Sequence, residues 1–156
     1  MVWLWMAKKK FEPNTIIKFG LAFLFLAGGF WVFYYTKFFA GPDGKTSLDL
    51  FTFGWFVITF GELCLSPIGM SAMTKLSPQK TQAVIMGMWF LASAYGQYFA
   101  GLLGENIASA SKNMTNLEKL NTYADGYQQL AIYALIAGVV LIVISPLVKK
   151  LMQEVK

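Results

Sequence analysis

The chain has 156 residues, of which 56% are hydrophobic and only 13% charged, and its mean hydropathy is +0.52. A soluble domain carries about 25% charged residues, so this composition excludes an ordinary soluble fold and points to a membrane protein. The formal charge of +5 comes from lysines in short clusters between apolar blocks, the pattern of membrane loops and not of a nucleic-acid surface.

The first ten residues run from apolar to basic, the reverse of a secretory signal. VWLWMAKKK reads as the last turns of a helix leaving the membrane, which implies a chain that starts in mid-protein. About 20 apolar residues cross a bilayer as a helix. Four segments meet that length, at about 16–36, 48–73, 83–104 and 128–148. Helices are expected because open strands leave backbone groups unpaired in lipid. GPDG at 41–44 signals a turn, Ser77-Pro78 can cap and start the third span, and 105–127 reads as a polar loop with room for a short surface helix. The expected architecture is all-α, four transmembrane helices in one domain over 1–156.

Lysine asymmetry sets the expected orientation. Lys8, Lys9, Lys10, Lys75, Lys80, Lys149, Lys150 and Lys156 fall on one side. Lys37, Lys45, Lys112 and Lys119 fall on the other, diluted by Asp43, Asp49, Glu105, Glu118 and Asp125. The positive-inside rule places the first set, and hence both termini, in the cytoplasm. Asn113-Met114-Thr115 matches a glycosylation pattern on the outer side, one short enough to arise by chance.

Glu62 is the sharpest chemical feature, an acid near the middle of the second span in FGELCLSP. A charge there costs a few kcal/mol, and such residues face a water-filled cavity or a partner, or are protonated and hydrogen-bonded to a neighbouring helix. Ser66, four residues on, shares its helical face. Pro67 removes a helix N–H and clashes with the carbonyl of Leu63, as expected of a kinked, cavity-lining helix or of a packing kink; Gly69 and Ser71 loosen the next turn. In the third span Ala92, Gly96, Ala100 and Gly104 repeat every four residues, a stripe suited to close helix packing. Trp89 and Phe90 lie beside it. Trp89 sits off the centre of its span by roughly 7 Å at 1.5 Å per residue, and Ser66 is displaced the same way by a similar amount. The two share a depth if their helices are adjacent. Trp89 fits equally a lipid-facing or core aromatic.

Other chemistries lack their residues. There is no histidine and one cysteine, Cys64. The chain therefore offers no internal disulfide, no His-activated nucleophile and no metal-ligand cluster. No Gly-rich phosphate loop follows a strand. Neither an enzyme nor a metal or other cofactor is expected.

The stretch GELCLSPIGMSAMTKLSP, followed by GMWFLASAYGQYFAGLLG, resembles the tenth and eleventh helices of the proton-dependent oligopeptide transporter family, part of the major facilitator superfamily. The resemblance covers essentially the whole chain, which would then hold core helices nine to twelve. It implies proton-coupled symport of di- and tripeptides across a membrane, by default a bacterial inner membrane. Glu62 matches the glutamate that binds the peptide amino terminus, and Ser66 a nearby pocket hydroxyl. Trp89 and Phe90 match aromatics that shape the side-chain pocket and inner gate. The implied partners are a di- or tripeptide, protons, the lipid bilayer and the remaining helices of a longer parent, with no nucleic acid. The family's fold has twelve core helices, and its first- and seventh-helix motifs for proton coupling have no counterpart here. Two other readings of the residues stand beside this one: a complete four-helix, proton-linked transporter acting as a homodimer, and a non-transporting membrane assembly subunit.

Overall fold

The structure is a computed structural model, and it describes residues 13–110 and 114–151 together with Lys9. The expectations for the other residues among the first twelve, for Lys112 and the sequon at Asn113, and for Lys156 fall outside this set, as do the side chains of Lys149 and Lys150. Among the described residues the chain is all-α. Helix α1 spans Thr15–Tyr35 and tightens into a 3-10 turn at Thr36–Phe39. Then follow α2 (Leu48–Leu76), α3 (Gln82–Ala110) and α4 (Asn116–Leu151).

Three of these helices are long and apolar enough to cross a membrane, in the ranges Thr15–Phe39, Leu48–Lys75 and Asn116–Val148. The expected third span, α3, has the length at 29 residues but not the composition. Ser93, Tyr95, Gln97, Tyr98 and several glycines interrupt its apolar run. The chain is an all-α membrane protein in which α3, alone of the four described long helices, lacks a membrane-length stretch as apolar as those of the other three.

Helix α1 is central and packs antiparallel against both α4 and α2. Small residues bring the backbones together, the usual means of association where lipid removes any hydrophobic drive between helices. Gly20 of α1 faces Gly138 and Ile142 of α4, and Gly29 of α1 faces Gly54 and Ile58 of α2. Gly54, Ile58 and Gly61 are spaced by four and three residues, one face of a helix. Phe33, 3% exposed, fills the upper end of this seam, with ring centroids 4.9 Å from Phe51, 5.9 Å from Trp55 and 5.1 Å from Tyr127. At the far end Asn14 caps α1 by accepting from the Ile17 N–H at 2.8 Å, and donates to Ser145 Oγ of α4 at 2.7 Å. Lys18, on the first turn of α1, is buried.

The ends of the elements correct the sequence reading in two places. Ser77-Pro78 stops α2 and does not start α3. The proline drives Ser77 to an extended backbone (φ −90°, ψ 137°), and the Ser77 hydroxyl donates back to the Met73 carbonyl. A turn through Thr81, whose N–H donates to the Pro78 carbonyl at 3.0 Å, then leads into α3 at Gln82. The stretch 105–127 is largely helix and not loop. α3 runs on to Ala110, and α4 begins at Asn116. Thr115 and Glu118 form a reciprocal capping box there: Glu118 Oε2 accepts from the Thr115 N–H at 2.8 Å, and Thr115 Oγ1 accepts from the Glu118 N–H at 3.4 Å. At the GPDG turn, Gly44 takes φ +70° and lies against Asn116, which ties the α1–α2 loop to the start of α4.

Antiparallel packing puts the start of α1, the end of α4 and the Lys75–Lys80 connection at one end of the bundle. Lys37 and Lys45 lie at the other, where Lys37 Nζ pairs with Asp125 Oδ1 at 3.0 Å.

Candidate functional site

The site is built on α2, whose two halves have different neighbours. The first half, through Gly54, Ile58 and Gly61, is packed on α1. The second half meets α3: the Trp89 indole lies on Gly69, Thr74 Oγ1 approaches Met86 Sδ at 3.8 Å, and Gln82 Nε2 donates to the Thr74 carbonyl at 3.0 Å. Pro67 lies between the two halves, inside the helix. It removes the hydrogen bond to the Leu63 carbonyl at the point where the packing partner changes.

Glu62 is exposed, and its carboxylate makes no ion pair or hydrogen bond with any described residue. Glu62, Ser66 and Gly69 follow at spacings of four and three, so they form one stripe along α2. Ser66 is also exposed, while Gly69 is buried beneath Trp89. The expected adjacency of α2 and α3 therefore exists at this level: Trp89 meets α2 one turn past Ser66, roughly 4.5 Å along the axis. A carboxylate, a hydroxyl and an indole edge thus follow one another along a single face, within three helical turns.

Beyond Trp89, helix α3 is open. Every residue from Phe90 to Glu105 is exposed. Phe90 itself is 61% exposed and is not gathered with Glu62 and Ser66. The stripe of Ala92, Gly96, Ala100 and Gly104 touches no other helix of the described chain at its glycines, since a Cβ at Gly96 or Gly104 would meet nothing within 4 Å. The close packing is instead at Gly20, Gly29, Gly54, Gly61 and Gly138. An open apolar hollow formed by Leu91, Ala94, Tyr95 and Tyr98 lies on the side of α3 opposite Trp89 by helical spacing, away from the Glu62 stripe.

The seat at Gly69 is the site feature that sequence reading missed. Its glycine was legible only as a weak point after Pro67, and nothing local says that a tryptophan twenty residues later will lie on it. Among the described residues no cluster of three His, Cys, Asp or Glu is placed to hold a metal.

Comparison with known proteins gives this arrangement a setting. The sequence profile described as the POT family matches residues 1–124. A peptide transporter of Yersinia enterocolitica is 34% identical over 97% of this chain and 29% of its own length. A di-/tripeptide transporter of Lactococcus lactis subsp. lactis is 29% identical over 98% of this chain and 29% of its own length. Dipeptide and tripeptide permease A of Chromobacterium violaceum is 31% identical over 83% of this chain and 26% of its own length. No solved structure matches. The chain thus spans a little under a third of the length of these relatives. All are bacterial, and the chain is a multi-pass integral protein of the plasma membrane. A profile match over residues 1–124 and a 34% identical relative aligned along nearly every residue make this chain a member of the POT family.

Proposed function

We propose that this chain forms part of the substrate cavity of a proton-coupled symporter for di- and tripeptides, with the rest of the cavity supplied by helices outside it. The observation that carries this reading is Glu62: an exposed carboxylate in an apolar membrane helix, unengaged by any described residue and in line with Ser66 and Trp89. An acid held at membrane depth is costly, and a cationic partner offsets that cost. The protonated amino terminus of a short peptide is such a partner, and the relatives named as peptide transporters support it. In this scheme Glu62 holds the amine, Ser66 offers a hydrogen bond, and Trp89 bounds the side-chain space. The lysine-rich end of the bundle faces the cytoplasm. Proton coupling would draw on groups outside this chain, and transport would need no catalytic step. Access would alternate by rocking of two repeats around the midplane site, the hydrogen bond missing at Pro67 letting the Trp89 end of α2 and α3 move against the part fixed to α1.

The test is dipeptide uptake into liposomes driven by a proton gradient, with the protein expressed from its complete gene. Wild type should import dipeptide. Glu62→Gln keeps the shape, removes the charge, and should lower affinity for a free-amine dipeptide by about tenfold or more, the loss of one charge-assisted contact of about 1.5–3 kcal/mol. An N-acetylated dipeptide should be a poor substrate for both. Unchanged affinity in Glu62→Gln would sink the assignment of Glu62 as the amine anchor.

A further inference from the structure

The Trp89 indole rests on Gly69 so closely that a Cβ at position 69 would overlap three atoms of its six-membered ring. At buried Gly54 the obstacle is also an aromatic ring, but that of Phe33, which is itself 3% exposed and packed on all sides. At Gly29 the obstacles are the buried Ile58 and the backbone carbonyl of Gly54, neither of which can yield. At Gly69 the obstacle is the free end of one side chain, on a helix that is exposed from Phe90 to Glu105. A side chain added at 69 therefore moves the indole and leaves the helices in place.

We infer that Gly69 is a positioning residue: by having no side chain, it sets where the Trp89 indole sits and so which substrate side chains fit beside it. The inference rests on the proposed peptide site. Gly69 closes the stripe that begins with Glu62 and Ser66, so the indole covers the end of that stripe farthest from the carboxylate. A peptide whose amine is at Glu62 extends its side chains towards that end. In Gly69→Ala the indole is pushed off α2, into the space those side chains need. Large side chains lose more than small ones.

The experiment measures uptake of Ala-Ala and Ala-Phe by the protein expressed from its complete gene and placed in liposomes. Gly69→Ala should raise KM for Ala-Phe about tenfold relative to Ala-Ala, the scale on which pockets discriminate one methylene. The same change in a Trp89→Phe background should leave the ratio of the two KM values unaltered, because a phenyl ring is shorter and clears the new methyl group. Gly69→Ala that lowers uptake of both peptides alike, in either background, overturns the inference in favour of a plain packing role. A readout independent of transport is the 19F spectrum of protein carrying 5-fluorotryptophan. The resonance lost in Trp89→Phe should shift in Gly69→Ala, and an unmoved resonance overturns the contact itself. Wild type that imports neither peptide ends the transport reading and this inference with it. A shifted resonance with an unchanged KM ratio overturns only the inference.

Discussion

Asn14 and Ser145 meet across 131 positions of sequence through a 2.7 Å hydrogen bond that joins the first turn of α1 to the last turns of α4. The same Asn14 side chain caps α1 through its Oδ1. One amide thus uses its acceptor for local structure and its donor for the tertiary fold. Ser145 is 2% exposed, so its hydroxyl has little recourse to water.

Asn14→Ala should therefore destabilise the bundle by about 1–3 kcal/mol, the range for stranding one buried polar partner. Adding Ser145→Ala should recover part of that loss, since removing both partners leaves nothing unsatisfied. Thermal unfolding of the four members of this cycle in detergent would measure it. Strictly additive losses would show that the bond contributes nothing beyond the cap.

Gly29→Ala should be more damaging than an exposed Gly→Ala change. A Cβ at 29 would stand 3.0 Å from the Gly54 carbonyl and collide with Ile58. Overpacking of this kind costs about 1–3 kcal/mol. Gly96→Ala, where a Cβ meets nothing, serves as the reference. In the described chain it should leave the unfolding temperature unchanged or raise it slightly, because alanine favours helix over glycine.

Pro67→Ala restores the N–H that the Leu63 carbonyl lacks and should stiffen α2 at the point where its packing partner changes. If the missing hydrogen bond lets the Trp89 end of α2 and α3 move against α1, the maximal rate of dipeptide uptake should fall several-fold while KM changes little. An unchanged rate would assign Pro67 to packing alone. A raised KM with an unchanged rate would mean that it shapes the pocket and does not move.

The sequence carried much of the frame because the relevant signals are local. Apolar runs located the bodies of the helices, GPDG located a turn that the structure forms with Gly44 at φ +70°, and Glu62 was visible as an acid in a span. Helix ends were less legible. Hydropathy marks where a chain is apolar, not where its backbone hydrogen bonds stop, so the polar first turns of α4 read as loop. The capping box Thr115-Asn116-Leu117-Glu118 was the available signal for that start. The small-residue stripe was misleading for this chain's own contacts for a related reason. A stripe shows that a helix can be approached closely, not which helix approaches it.

By itself the sequence determined that this is a helical membrane protein, where most of its spans run, and which acid stands out chemically. It also carried the motifs by which the POT family is identified. Those properties depend on residue type and on spacing along one helix. Only the tertiary structure decided that α1 is the hub, that Gly29 packs against Gly54 and Ile58, and that Trp89 is seated on Gly69. Each of these pairs residues far apart in the chain, and their contact is fixed by the mutual fit of whole helices, which no local pattern encodes.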